Sequence, residues 1–183
     1  MRRSVRAAAV LVAFGFAMFT LGGCSKEPPE SSWAKVDAPL VKDQTDDIVV
    51  NDGTLADGTY WATISLTSGT GDIVFRVMKA RFGDTCMKWA KDNGMTDACM
   101  DDYNVDSFTD AYAALDNRAE VSVAKPDGPG TNYSINVDTL KALMHGVDTQ
   151  VGGAPKGYTW VPFPFVVAVT NGYVTTANQY WVP

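Results

Sequence analysis

The chain has little histidine and little glutamate: His145 is its single histidine, and only three of its 21 acidic residues are glutamates. One histidine gives little support for a metal site built on imidazole ligands. The other acidic residues are aspartates, which favour turns and helix caps, so the composition indicates a turn-rich, β-rich domain. The net charge is −6 and no basic stripe is present, which argues against a nucleic-acid partner.

The N-terminal residues have the organisation of an export signal. Arg2, Arg3 and Arg6 precede an apolar run over residues 7–21. A run of about 15 residues has the length of a signal-peptide core and is short for a membrane-spanning helix, which needs about 20. The run ends in Leu-Gly-Gly-Cys at residues 21–24, which resembles the bacterial lipobox.

The lipobox resemblance implies a signal peptide over residues 1–23 and a lipid on Cys24, with the protein held on the extracytoplasmic face of the bacterial cell membrane. Two or more acyl chains anchor a protein stably. A secretory signal with a chance cysteine, or an uncleaved membrane helix, is the alternative. Without residues 1–23 the chain keeps 12 basic and 21 acidic residues, a net charge of −9.

The mature chain divides into a tether over residues 24–52 and one β-rich domain over residues 53–183. The residues after Cys24 are polar and contain prolines, as in a flexible linker. Cys86 and Cys99 remain as an even pair in an oxidising compartment, so we predict a disulfide between them. Their spacing is not Cys-x-x-Cys, which leaves a metal or redox role as a weaker alternative.

Alternating apolar residues predict strands over residues 59–67, 72–82, 119–125 and 133–137, and a hairpin around Asn171-Gly172. We predict a helix over residues 85–92, capped by Asp84, and a second helix, capped by Asp138, that runs through residue 144. Residues 109–115 are a weaker, alanine-rich helical turn. The expected fold class is α+β, mainly antiparallel β, with two or three short helices. A small barrel or a strongly curved sheet is the preferred architecture.

Several segments together resemble uncharacterised cell-envelope lipoproteins of actinobacterial type. The segments are residues 57–62, 102–105, 165–175 and 180–183, with a cysteine-bearing helix between the first two. The resemblance implies an envelope location and carries no activity with it.

Aromatic residues crowd the C-terminal part of the chain. Four of them form a possible ligand-binding set, because aromatic side chains on a strand surface bind sugar rings or peptides: Trp160, Phe163, Tyr180 and Trp181. The alternative is that they belong to the core or cover an open barrel end.

Other residue patterns suggest chemistry more weakly. Ser-x-x-Lys occurs at Ser32 and at Ser122, but the first lies in the tether and the second on a predicted strand. The oxygen-rich segment 97–106 could bind calcium through Asp97, Asp101, Asp102, Asn104 and Asp106. It lacks the glycine and the distal glutamate of an EF-hand, so a solvated acidic loop is the preferred interpretation. We predict no resident metal and no cofactor.

The sequence therefore predicts a membrane-anchored envelope lipoprotein that acts as a non-enzymatic binding or structural module. Its expected contacts are the membrane, through lipid on Cys24, and an envelope protein or a glycan. The alternative is a small envelope hydrolase whose site assembles only in three dimensions, for example from Ser122, His145 and an aspartate.

Overall fold

The computed structural model describes residues 32–40, 42–45, 48–51, 54–95, 97–99, 103–146 and 152–182. The predicted signal peptide and Cys24 lie outside these residues. The strands are β1 (Lys35–Asp37), β2 (Val50–Asn51), β3 (Thr54–Leu55), β4 (Gly58–Leu66), β5 (Ile73–Phe82), β6 (Tyr103–Ala124), β7 (Thr131–Ile135), β8 (Phe165–Thr170) and β9 (Tyr173–Gln179). The helices are α1 (Gly83–Asp92) and α2 (Val137–Met144).

Five strands form a closed barrel. The main sheet has the order β1-β7-β6-β5-β4-β8-β9, and a further pairing of β6 with β9 closes β4, β5, β6, β9 and β8 into a ring. The domain is thus mostly β with a barrel and two helices, as the sequence predicts. The expected antiparallel pairing holds for the other strand pairs, but β6 and β9 run parallel.

The two hairpins of the barrel follow from local sequence. In β4 and β5 the alternating residues Ala62, Phe75 and Val77 point inward and are fully buried. The β8–β9 hairpin turns at Asn171-Gly172, where φ is 52° and 79°. Two consecutive positive φ values suit a tight hairpin turn, and Asn-Gly is the pair that adopts them most readily.

The long strand β6 corrects one prediction. Residues 109–115 were expected to form a helical turn because alanine favours helices. They are instead extended and pair with β5, with Ala111 and Ala113 buried toward the barrel interior. The small side chains fit the crowded interior, so long-range pairing overrides the local helical preference.

Both helices start one or two residues before the expected positions, and their caps differ from the predictions. Phe82 precedes α1, so Asp84 lies in the first helical turn, where its charge favours the helix dipole. Asn136 caps α2 by accepting a hydrogen bond of 2.8 Å from the Thr139 amide, so Asp138 is not the cap. Leu140 and Leu143 of α2 complete the barrel core.

Part of the predicted tether lies against the domain. Strand β1 pairs with β7, and the indole of Trp33 is only 7 % exposed. The Trp33 Nε1 atom donates to the Gly152 carbonyl over 3.0 Å. From Ser32 onward, the segment therefore contributes both a strand and a core residue.

The predicted disulfide between Cys86 and Cys99 is confirmed. The two Cα atoms are 5.8 Å apart, and the bridge closes a sequence separation of 13. Both cysteines pack with Ala90 in a small apolar cluster outside the barrel. The bridge thus joins α1 to the segment that follows it.

Candidate functional site

The four C-terminal aromatic residues do not form one cluster. Trp160 contacts Phe165 beside the barrel core, with ring centroids 6.5 Å apart. Phe163 and Trp181 face each other at 6.3 Å.

Tyr180 belongs to a third group. It meets Trp61 edge to face at 5.4 Å and also contacts Phe82. Each of the four predicted side chains is half-buried, and Phe163 with Trp181 is the pair among them joined by a ring contact. These contacts favour packing over a shared ligand site.

Two other tyrosines stand out because their rings are exposed. Tyr112 on β6 is 48 % exposed and Tyr173 on β9 is 54 % exposed. Arg76 pairs with Tyr112, and Ala114 pairs with Tyr173, so all four residues lie on the outer face of the barrel. The two tyrosines therefore occupy diagonal positions on neighbouring strands, within reach of aromatic side chains.

Charged groups surround Tyr112 on this outer face. The Arg76 guanidinium lies 5.9 Å from the ring centroid of Tyr112. Its Nε atom donates to the Thr109 carbonyl over 2.8 Å, and its Nη2 atom is 3.6 Å from the Asp110 carboxylate. The hydrogen bond holds the arginine in place, while Asp110 stays fully exposed. We call Arg76, Asp110, Tyr112 and Tyr173 the tyrosine face.

The tyrosine face combines flat apolar rings with a hydrogen-bond donor and an acceptor. Such a surface can bind a ligand that has both apolar faces and hydroxyl or amide groups. The sequence contained a signal for it: Asp110 and Tyr112 alternate with Ala111 and Ala113. The helical prediction for residues 109–115 hid that alternation.

The hydrolase hypothesis had joined Ser122 to His145. The Ser122 hydroxyl donates to Asn178 Oδ1 over 2.7 Å and accepts from Asn132 Nδ2 over 2.9 Å. His145 is exposed after α2 and lies near Gly71. Ser122 is thus held by two amides on β7 and β9, and its polar contacts here belong to a structural network.

The two Ser-x-x-Lys pairs are likewise engaged in local contacts. The Ser32 hydroxyl accepts a hydrogen bond from the Ala34 amide over 3.2 Å. Lys125 forms an ion pair with Asp127 over 2.9 Å. Neither arrangement resembles a nucleophile with its base.

The calcium hypothesis falls mostly outside the described structure. Asp101, Asp102 and the Asp106 side chain lie outside the part of the chain that the structure describes. Asp97 is exposed, and Asn104 is half-buried at the start of β6. Within the described ranges, no group of three or more histidine, cysteine or acidic side chains could hold a metal ion.

A cleft of about 340 Å³ runs between Leu40 with residues 42–44 on one side and the outside of β4 and β8 on the other. The Trp61 ring is buried in its floor and donates to the Lys42 carbonyl over 2.7 Å. Gln44 Oε1 accepts from the Trp61 amide over 3.1 Å. Because these polar atoms bind one another, the cleft offers few free groups to a ligand.

Comparison with known proteins adds no relative. No family model, no curated protein and no solved structure matches this chain. Among the described residues, neither helix has the length and apolar composition needed to cross a bilayer.

Proposed function

We propose that this protein is a membrane-tethered module of the bacterial cell envelope that binds glycan through the tyrosine face. The observation that carries the proposal is the pair of exposed tyrosines, Tyr112 and Tyr173, beside a fixed arginine on one outer surface of the barrel.

The tethering part of the proposal depends on the lipobox at residues 21–24. A diacylglyceryl group on Cys24 would hold the domain at the membrane surface. The disulfide between Cys86 and Cys99 supports an oxidising compartment, because such bonds are rare in the reducing cytosol.

Exposed tyrosine rings suit sugars for a physical reason. Each ring offers an apolar face to the C–H groups of a sugar, while its hydroxyl stays hydrated. A tyrosine side chain has few rotatable bonds, so ordering it on binding costs little conformational entropy. Two such rings on adjacent strands can contact neighbouring sugar units.

The charged residues of the tyrosine face can orient a bound sugar and select among ligands through hydrogen bonds. Arg76 can donate to sugar hydroxyl or carboxylate oxygens, and Asp110 can accept from hydroxyl groups. The exposed Asp110 carboxylate and the net charge of −6 both repel a phosphate backbone. A glycan therefore fits the face better than a nucleic acid.

The barrel connectivity is compatible with this use. Five strands, β4, β5, β6, β8 and β9, close the barrel, and OB-fold barrels have five strands as well. The outer face of the second and third strands of those barrels binds oligosaccharides and oligonucleotides. Here that face carries Arg76 and Tyr112, although fold alone does not determine function.

A sedimentation assay tests glycan binding directly. The full chain, purified in mild detergent, is mixed with insoluble peptidoglycan from a bacterial cell wall, and bound protein is measured in the pellet. We expect Tyr112→Ala and Tyr173→Ala each to weaken binding at least about tenfold, because buried aromatic contacts dominate such interfaces.

Met87→Ala is the matched control, since Met87 is 52 % exposed on α1 and is not part of the tyrosine face. It should bind as the parent does. Binding that is equal in the parent and in the double tyrosine variant would contradict the proposal. Mass spectrometry of the purified chain separately tests for acyl groups on Cys24.

A further inference from the structure

A second, smaller pocket lies where β6 ends. It has a volume of about 120 Å³ and is enclosed by the turn after β6, by β7 and by residues 155–158. The side chains that the argument uses are Lys125, Asp127, Tyr133, Lys156 and Tyr158, which we call the tyrosine–lysine pocket. It shares no residue with the tyrosine face.

The aromatic wall of this pocket is fixed by packing. The rings of Tyr133 and Tyr158 meet edge to face at 6.1 Å. Trp33 packs against Tyr158 at 5.1 Å, and its indole is held by the hydrogen bond to Gly152. A wall built in this way keeps its shape when a ligand binds, which lowers the entropic cost of binding.

The hydroxyl of Tyr158 is the chemically unusual group. Tyr158 is only 3 % exposed, and its buried hydroxyl makes no hydrogen bond to any part of the chain that the structure describes. A buried donor without an acceptor is destabilising, so such groups are rare in folded proteins. Burial also raises the pKa of Tyr158, which keeps the hydroxyl protonated and able to donate.

The charges at the pocket favour an anion as the acceptor. Lys125 is neutralised by Asp127, whose carboxylate lies 2.9 Å from the ammonium group. Lys156 is exposed and adds a second positive charge. The three charged side chains therefore leave a net charge of +1 beside a phenolic donor.

We propose that the tyrosine–lysine pocket binds a small oxyanion, a carboxylate or a phosphate group, which accepts a hydrogen bond from Tyr158 and pairs with Lys156. A volume of about 120 Å³ admits a group of only a few non-hydrogen atoms. The ligand is thus one anionic group, either free or at the end of a larger molecule.

Thermal unfolding of the full chain in detergent tests the proposal with sodium acetate and sodium phosphate as probes. Sodium chloride at equal ionic strength and neutral acetamide serve as reference solutes. A ligand at about ten times its dissociation constant stabilises the folded state by about 1.4 kcal/mol. We expect acetate or phosphate to raise the melting temperature more than either reference solute does. The probe that gives the larger rise shows whether the pocket prefers a carboxylate or a phosphate group.

Two variants locate the effect. Tyr158→Phe should raise the apparent dissociation constant of the anion at least tenfold. Lys156→Met should also weaken anion binding, and it should leave the fold intact because Lys156 is exposed. Tyr60→Phe and Lys91→Met are matched controls outside the pocket, the second at an exposed position on α1, and should respond as the parent does.

Three results would overturn the proposal: equal responses in the parent and both pocket variants, equal stabilisation by chloride, or equal stabilisation by acetamide. If Tyr158→Phe does not fold, Lys156→Met alone decides between the outcomes. Because the tyrosine face is untouched by these variants, glycan binding should persist in Lys156→Met whichever result is found.

Discussion

Replacing Gln179 by leucine tests how the barrel is held closed. Gln179 ends β9 and is only 1 % exposed. Its Oε1 atom accepts from the Ala124 amide over 2.9 Å, and its Nε2 atom donates to the carbonyls of Val161 and Phe163 over 2.7 and 3.3 Å. One side chain thus joins the ends of β6 and β9 to the segment before β8.

The expected cost follows from what leucine leaves unpaired. The amide of Ala124 is buried, and a buried donor without a partner costs about 1–3 kcal/mol. Val161 and Phe163 are half-buried, so their carbonyls can recover part of their hydrogen bonding from water. We expect Gln179→Leu to lower the free energy of unfolding by about 3 kcal/mol.

Urea denaturation of the parent and the variant measures this difference, and the melting temperature should fall by about 6–12 °C for a chain of this size. Gln44→Leu is a matched control, because Gln44 is half-buried and accepts a single backbone hydrogen bond, from Trp61. It should cost about 1 kcal/mol. A loss below 1 kcal/mol for Gln179→Leu would refute the closing role of this side chain.

Three further predictions concern stability. Joint replacement of Cys86 and Cys99 by alanine should lower the free energy of unfolding by about 3 kcal/mol in urea titrations, because the bridge closes a sequence separation of 13; unchanged stability would contradict this. Gly172→Ala should cost at least about 1–2 kcal/mol by thermal unfolding, because φ is 79° there and an added Cβ would also collide with the Thr54 side chain. Gly128→Ala, with open space around it, should be nearly neutral. Burial raises the pKa of Tyr158 above its ordinary value of 10.0, so the folded state holds the phenolic proton more tightly than the unfolded state does. The stability that depends on this proton is complete below pH 10 and is lost as the pH rises through the pKa of the folded state. Stability measured from pH 9 to 12 should therefore fall less steeply in Tyr158→Phe, and identical profiles would disprove the linkage.

The elements that the sequence predicted well are those with local causes. The Asn171-Gly172 hairpin needs only its own turn and the two strands beside it. The disulfide followed because Cys86 and Cys99 were the two cysteines left after Cys24. The alternation of apolar with other residues in β4 and β5 is likewise visible in the amino-acid sequence.

The elements that were missed depend on distant parts of the chain. Strand β6 pairs with β5, β7 and β9 along its length, and these pairings override the helical preference of its alanines. The parallel pairing of β6 with β9 joins residues more than 50 positions apart, such as Ser122 and Asn178. Neither the polar network around Ser122 nor the closure of the barrel could be predicted without that pairing.

The tyrosine face was missed for the same reason. Arg76, Tyr112 and Tyr173 come from three strands and share one outer face only once the barrel has formed. The aromatic residues that the sequence emphasised, such as Trp160 and Tyr180, instead pack against other rings. The density of aromatic residues along the chain was therefore a poorer guide to a candidate binding surface than the exposure of their side chains in the fold.

Nuclear magnetic resonance tests the central claim most directly. The full chain, labelled with ¹⁵N in detergent, is titrated with a soluble oligosaccharide prepared from bacterial peptidoglycan. Glycan binding at the tyrosine face predicts saturable shifts of the backbone amides of Arg76, Asp110, Tyr112 and Tyr173, which disappear in the double variant Tyr112→Ala, Tyr173→Ala. Unchanged spectra at saturating oligosaccharide, or shifts confined to other surfaces, would contradict the account.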